Sequence, residues 1–166
     1  MTFKVAVAQI DIALGEPDRN YQTVTQAVKD AAKAGADVVV FPEMWNTGYA
    51  LTELARLADQ DGWQTKQTLS RAAKENQIAI VGGSVATVRA GGQYYNTTYI
   101  YDQNGNLTGS YDKVHLFGLM HEDEFIQAGS QGSFFELKGV KSASFICYDL
   151  RFPEWFRTVA KQGADV

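Results

Sequence analysis

The chain has 166 residues, of which 45% are hydrophobic and 20% charged, and its formal net charge is −4. This length and composition fit one soluble globular domain with a sizeable core. The acidic balance and the lack of a basic cluster argue against nucleic acid or an anionic membrane surface as a partner, and no apolar run approaches the length of a membrane span. The single cysteine, Cys147, excludes an internal disulfide framework and favours a reducing, cytoplasmic location.

The first half of the chain has the pattern of alternating strands and helices. Residues 3–10 are apolar on both alternating faces, which predicts a strand that is buried on two sides. Apolar residues recur at helical spacing over residues 21–31, and Gly35 is a suitable stop. Residues 37–41 predict a central strand that leads into Glu43. Further helices are predicted at residues 51–58 and 63–75, and a strand at residues 78–88 with a bulge or a close backbone approach at Gly82-Gly83.

The second half adds mostly strands. Residues 94–101 predict an aromatic and threonine-rich strand, and Asn104-Gly105 predicts a tight hairpin turn into a strand at residues 107–113. Residues 114–131 show little pattern. Two strands at residues 134–137 and 140–146 and a helix that begins at Pro153 complete the predicted elements. This order predicts an α/β chain with a mixed sheet.

A short internal repeat bears on the last residues. Lys33-Ala-Gly-Ala-Asp-Val-Val39 leads from a predicted helix into a strand, and Lys161-Gln-Gly-Ala-Asp-Val166 has the same pattern. A strand is therefore expected to begin around Ala164. We expect residues 1–166 to form the N-terminal portion of one domain whose C-terminal strands are missing. A missing sheet edge would leave backbone groups unpaired, which favours a homo-oligomer.

Three polar residues follow predicted strands at the carboxyl ends, where the functional groups of such sheets gather. They are Glu43, Lys113 and Cys147. A carboxylate can act as the general base for a thiol and a lysine can stabilise an oxyanion, so the three could carry acyl transfer through a thioester. We expect Lys113 and the following helix start to depress the pKa of Cys147. The alternatives are a small buried cysteine, a solvated glutamate and a surface lysine.

The two histidines and the glycine pairs offer alternative sites. His115 or His121 could pair with Cys147 as in a Cys-His hydrolase, or either could be an ordinary loop residue. No Cys/His cluster has metal-ligand spacing, so neither a metal nor a cofactor is expected. Gly82-Gly83 and Gly91-Gly92 lack the strand–loop–helix context of a phosphate-binding loop.

Three segments resemble the signature regions of one enzyme family. Phe41-Pro-Glu43, Tyr111-Asp-Lys-Val-His-Leu-Phe117 and Ile146-Cys-Tyr-Asp-Leu-Arg-Phe-Pro-Glu154 are similar, in order and spacing, to those of the nitrilase superfamily of carbon–nitrogen hydrolases. The resemblance covers the whole chain, but only somewhat more than the first half of a family catalytic unit. It implies an αββα sandwich, incomplete here at the C-terminus, and assembly into dimers or larger oligomers.

The resemblance also implies a role for each residue of the triad. Glu43 would be the general base, Lys113 the cation on the oxyanion side and Cys147 the nucleophile. The backbone N–H of Tyr148 would be the second donor to the oxyanion. The family has a second glutamate on the loop after the lysine. Glu122 matches its position better, and Glu124 is a close rival.

The segments around the triad, with Thr47-Gly-Tyr49, look most like the omega-amidase branch, which hydrolyses the terminal amide of 2-oxoglutaramate and related short amides. Tyr49 and Arg151 are candidates for substrate binding. Arg151 would hold the distant carboxylate of such a substrate, or would form a structural ion pair with Glu154, Glu43 or Asp149. Two alternative functions stay open. The chain could be a catalytically silent fragment that keeps the triad, or another amidase or N-carbamoyl hydrolase of the superfamily.

Overall fold

The structure, a computed structural model, describes residues 3–166. The strands in that range are β1 (Val5–Val7), β2 (Val38–Val40), β3 (Asp59–Gln60), β4 (Ala79–Val81), β5 (Val85–Val88), β6 (Tyr94–Tyr101), β7 (Leu107–Asp112), β8 (Phe134–Leu137) and β9 (Val140–Ala143). The α-helices are α1 (Pro17–Lys33), α2 (Leu54–Leu57), α3 (Trp63–Asn76), α4 (Glu122–Phe125) and α5 (Pro153–Lys161). Short 3₁₀ helices lie at Leu51–Glu53, Gly118–Met120 and Cys147–Arg151. No helix in residues 3–166 is both long and apolar enough to cross a membrane.

Seven strands form one mixed sheet in which β6 is the branch point. β1, β2 and β4 run parallel, and β6 pairs antiparallel with β4, β5 and β7. Parallel strands end at the same edge of a sheet, and this edge carries the residues that follow β2. The turn at Asn104-Gly105 joins β6 to β7, as predicted, and Gly105 supplies a φ of +82° there.

Helices α1 and α3 cover one face of this sheet. α1 buries Tyr21, Val24, Val28 and Ala31, the same side chains whose spacing predicted it. They pack with Leu69 of α3 and with the strands. Full burial of each large apolar side chain is worth about 1.5–3 kcal/mol, so this layer anchors the sheet.

The opposite face meets a second, two-stranded antiparallel sheet of β8 and β9. Phe135 and Leu137 of β8 pack with Val38 and Ile100 of the first sheet. Phe134 points the other way, where α5 places Val159 beside it. The layers are therefore helices, sheet, sheet, helix. The predicted α/β class and αββα sandwich are confirmed.

The prediction for the first strand was wrong in two respects. β1 has three residues, and Val5 and Val7 are 45% and 76% exposed instead of buried. Ala6 faces the α1 layer, but the two valines lie on the other face of β1, which is an edge strand of the sheet. An open apolar groove of about 300 Å³ lies there between Phe3 and Phe135.

Three other predicted elements differ in their bounds. Residues 78–88 form two strands, because three residues at Gly82-Ser84 face two on β6, which is a bulge. The predicted helix at 51–58 is a 3₁₀ turn followed by the short α2, and the last predicted strand ends at Ala143. No strand begins at Ala164, but Val166 exchanges backbone hydrogen bonds with Lys141 and Ala143 of β9.

Candidate active site

Glu43 is positioned by the end of β2 and by a close backbone contact. The Ser84 N–H donates to the carbonyl of Pro42 over 3.0 Å. Gly83 has a φ of +60°, and a Cβ added there would lie 2.0 Å from the same carbonyl. Only glycine fits such an approach, so the bulge between β4 and β5 fixes the backbone that carries Glu43.

A buried cluster of charged and polar side chains lies next to this strand end. The Lys113 Nζ is 2.7 Å from Oε1 of Glu43 and 2.7 Å from Oε2 of Glu122. The Asn96 Nδ2 donates to Oε1 of Glu43 and to Oε1 of Glu122, each over 2.9 Å. Lys113, Glu122 and Asn96 are all 0% exposed. Two carboxylates around one ammonium group leave the cluster with a net charge of −1.

The two candidate glutamates have different surroundings. Glu122 begins α4 inside the cluster, and its Oε2 also accepts the Phe117 N–H over 2.8 Å. The Glu124 side chain is 62% exposed and pairs with His121 on the surface over 2.8 Å. The structure therefore brings Glu122 to Lys113 and leaves Glu124 outside.

The charges of this cluster act on the pKa of Lys113. Burial acts to lower the pKa, but hydrogen bonds from the ammonium group to Glu122 and Glu43 outweigh it, so the pKa of Lys113 lies above its usual value. Lys113 is therefore a fixed cation, able to donate hydrogen bonds but not to act as a base at neutral pH.

Cys147 lies beside the cluster at the first residue of a 3₁₀ helix. It lines a cavity of about 170 Å³ together with Glu43, Phe41 and Ser84. Its φ of +45° is a left-handed backbone conformation that non-glycine residues rarely adopt. Tyr148 is the second residue of that helix, so its N–H belongs to the first turn, where a helix provides no acceptor. The Tyr148 ring contacts Phe117 at 4.9 Å between ring centres.

The expected depression of the thiol pKa is wrong. Partial burial of the thiol and the carboxylate of Glu43 raise the pKa of Cys147, Glu122 adds to the rise, and Lys113 opposes it. The residue as a whole is exposed, but its thiol lies within hydrogen-bond reach of Glu43. Because the cluster carries a net charge of −1, it favours the neutral thiol over the thiolate.

Asp149 holds the loop that carries Cys147, and sequence reasoning had considered it only as a partner for Arg151. Its buried carboxylate accepts the Ile146 N–H over 2.9 Å and the Tyr111 hydroxyl over 2.8 Å. It also accepts the His115 N–H over 2.9 Å and lies 2.7 Å from His115 Nδ1. These bonds attach the cysteine turn to β7. An aspartate at the third position of a helix start was the available sequence signal.

Asn96 was also missed. Asparagine is depleted in strands, so its place in the middle of β6 was an available but weak signal. The Cys-His alternative loses support, because His115 is bonded to Asp149 and stacked on Phe152 at 3.7 Å. Neither His115 nor His121 lines the cavity of Cys147. Within residues 3–166, no three His, Cys, Asp or Glu side chains are grouped as metal ligands would be.

The two candidates for substrate binding lie in different places. Tyr49 lies close to Glu43, and burial together with that carboxylate raises the pKa of its hydroxyl. Arg151 is exposed, lies outside the lining of the Cys147 cavity, and has no ion pair with any described residue. The structure therefore brings Tyr49 to the cluster and does not bring Arg151 there.

Comparison with known proteins places this arrangement in a family. A 2-oxoglutaramate amidase of Bacillus subtilis (strain 168) is 45% identical over 166 residues, which are all of this chain and 63% of that protein. An omega-amidase of Mus musculus is 31% identical over 172 residues, covering 99% of this chain and 62% of that protein. The chain thus spans somewhat under two thirds of the length of these relatives.

Solved structures agree with this comparison. A mutant of the amidase from Nesterenkonia sp. AN1, with acrylamide added to its active-site cysteine, matches with a TM-score of 0.89 at 25% identity, over 98% of this chain and 64% of that one. Another mutant of that amidase, in complex with butyramide, matches with a TM-score of 0.87 at 26% identity, over 98% and 62%. The family model for carbon-nitrogen hydrolases matches residues 4–166. The chain therefore belongs to the carbon–nitrogen hydrolase family, as the resemblance of its three segments predicted.

Proposed function

We propose that this chain carries the catalytic residues of an omega-amidase, which hydrolyses the terminal amide of 2-oxoglutaramate or a similar short substrate and releases ammonia. The observation that carries the proposal is the buried Lys113 between Glu43 and Glu122, with Cys147 on the cavity beside Glu43. The family match over residues 4–166 supports assigning residues 1–166 to one catalytic domain.

The first half of the reaction makes a thioester. Glu43 takes the proton of the Cys147 thiol as the sulfur attacks the carbonyl carbon of the amide. The negative charge that develops on the carbonyl oxygen is stabilised by the Lys113 ammonium group and by the N–H of Tyr148. The C–N bond then breaks, the proton on Glu43 passes to the leaving nitrogen, and ammonia departs.

The second half releases the acid. Glu43 takes a proton from water, the resulting hydroxide attacks the thioester carbon, and the same two donors stabilise the oxyanion. The C–S bond breaks and the sulfur regains its proton from Glu43. The raised pKa of Cys147 supports the assignment of Glu43 as general base, because a thiol that is neutral at rest needs a base at the moment of attack.

The choice of substrate rests on similarity and charge. The Bacillus subtilis relative acts on 2-oxoglutaramate, as its name says, and it shares 45% of the residues. A substrate with a distant carboxylate needs a cation. We propose that Arg151, which is exposed and lies outside the lining of the Cys147 cavity, binds that far end of the substrate and not the reacting amide. Tyr49, beside Glu43, is proposed to contact the reacting end.

A second candidate is an amidase for uncharged amides, because the Nesterenkonia amidase mutant holds butyramide.

Oligomeric state and location are also part of the proposal. The exposed Val5 and Val7 favour a homo-oligomer, since such an apolar face is stabilised by a partner. An exposed free thiol fits a reducing compartment, and so the cytoplasm.

Ammonia release from 2-oxoglutaramate, butyramide and an N-carbamoyl amino acid tests the proposal. We expect 2-oxoglutaramate to have the highest kcat/KM, Cys147→Ala to abolish turnover and Glu43→Gln to remove most of it. Glu124→Gln, on the surface, is the matched control and should retain full activity. Preference for butyramide would reject the omega-amidase assignment. Normal turnover by Glu43→Gln would reject the mechanism, and no turnover of any amide would identify a silent chain.

A further inference from the structure

Asn96 occupies the centre of the charged cluster without being part of the proposed reaction. Its Nδ2 donates to one oxygen of each carboxylate, Glu43 Oε1 and Glu122 Oε1, over 2.9 Å in both cases. Its backbone carbonyl accepts the Lys113 N–H over 2.9 Å. We infer that Asn96 is a positioning residue that orients Glu43 so that Oε2 is the oxygen that accepts the thiol proton, an inference that rests on the proposed function.

The count of hydrogen atoms supports this role. A carboxamide has two N–H groups, and both are used, one for each carboxylate. The Lys113 ammonium has three, of which two bond Glu43 Oε1 and Glu122 Oε2. Asn96 and Lys113 thus both bond Oε1 of Glu43, and neither bonds Oε2. The third N–H of Lys113 remains available to an oxyanion.

The orientation of the amide is determined by its neighbours. Asn96 Oδ1 is buried and has no hydrogen-bond partner among the described residues. Rotating the amide by half a turn would bring Oδ1 against two carboxylates, so the observed orientation is the favourable one. A buried acceptor without a partner is normally unfavourable, which indicates that the two N–H contacts are what this position requires.

Other side chains would fail here for definite reasons. Aspartate has the same shape, but when ionised it donates nothing and adds a third carboxylate to a cluster whose net charge is already −1. Alanine removes both donors and leaves Glu43 held by Lys113 alone. Aspartate adds a negative charge near Cys147, and alanine removes two N–H dipoles that stabilise the carboxylates. Both changes should therefore make the thiol harder to ionise.

The test compares Asn96→Asp and Asn96→Ala with Thr98→Val. Thr98 is two residues further along β6, is equally buried, and has a hydroxyl without a hydrogen-bond partner among the described residues, so its variant controls for a change inside this strand. The first measurement is the pH midpoint of iodoacetamide alkylation of Cys147, the single cysteine. The second is the pair of constants kcat and KM for 2-oxoglutaramate.

We expect the alkylation midpoint to rise by about 0.5 pH unit or more in Asn96→Asp and by less in Asn96→Ala. A local loss of structure would have the opposite effect, because it would return the midpoint towards the ordinary cysteine value of about 8.5. In both Asn96 variants we expect kcat to fall about 100-fold with KM nearly unchanged, since a misplaced base affects the chemical step. Thr98→Val should change neither quantity.

Two results would overturn the inference: midpoints in both Asn96 variants equal to that of Thr98→Val, or a rise of KM that accounts for the whole loss of kcat/KM. Asn96→Asp keeps the shape of the side chain, so its alkylation midpoint, kcat and KM test the inference if Asn96→Ala is too unstable to measure. If the unmodified chain hydrolyses no amide, the proposed function fails, while the alkylation midpoints still decide the role of Asn96.

Discussion

Replacement of Glu122 by glutamine is the most informative change that the structure suggests. Three groups contact the Glu122 carboxylate, and all three are donors: the Lys113 ammonium, the Asn96 amide and the Phe117 N–H. A glutamine side chain must turn its own NH₂ group towards at least one of them. Glu122→Gln therefore removes a charge and leaves at least one buried donor facing another donor.

The size of the effect follows from these contacts. Removal of one partner from a buried ion pair costs about 3–5 kcal/mol. Loss of one carboxylate also relieves its repulsion with Glu43, so we expect the lower end, about 3 kcal/mol. Against a total stability of about 5–15 kcal/mol this is a large fraction. For a domain of this size, the melting temperature should fall by roughly 6–12 °C.

Urea unfolding and thermal melting measure this change, and Glu124→Gln is its matched control. The Glu124 side chain is 62% exposed, so its variant should differ from the unmodified chain by less than about 0.5 kcal/mol. The alkylation midpoint of Cys147 should fall in Glu122→Gln, since Glu122 helps to raise the pKa of the thiol. Equal stability of the two variants would refute the buried network, and an unchanged midpoint would refute its action on Cys147.

Three other predictions follow from the site. Iodoacetamide alkylation of Cys147 should have a pH midpoint above the ordinary cysteine value of about 8.5. Glu43→Gln should lower that midpoint and remove most of the turnover. A midpoint below about 8.5 in the unmodified chain would contradict this. Asp149→Asn should lower the free energy of unfolding in a urea titration by about 3 kcal/mol and reduce kcat, because each carboxylate oxygen has two contacts and one oxygen becomes an NH₂ group. An unchanged urea midpoint would contradict this. Gly83→Ala should destabilise far more than Gly92→Ala, since both have positive φ but only Gly83 meets a carbonyl; equal melting temperatures would oppose this.

Local sequence patterns predicted the helices and strands well, because helices and strands depend largely on residues that are neighbours in sequence. The face of α1 follows from the spacing of Tyr21, Val24 and Val28. Burial of β1 was mispredicted, because an apolar pattern shows that side chains favour burial but does not show which layer packs over each face. The same alternating pattern suits a strand with one open face.

The contents of the site were harder to predict, because they come together only in three dimensions. The pKa of Cys147 was predicted with the wrong sign, because Lys113 was counted as the charge that would dominate. Glu122 adds a second carboxylate only when the fold brings its side chain to Lys113. Asn96 left only a weak signal in sequence, since its partners Glu43 and Glu122 lie 53 and 26 residues away.

The neutral thiol of Cys147 also affects how readily this residue is oxidised. Peroxides and disulfides react with the thiolate and hardly at all with the thiol, so the exposed position alone does not make this cysteine vulnerable. The carboxylates that raise its pKa therefore also protect the sulfur from oxidation. A variant that lowers this pKa would carry more thiolate at neutral pH. Its Cys147 would therefore be oxidised faster during storage.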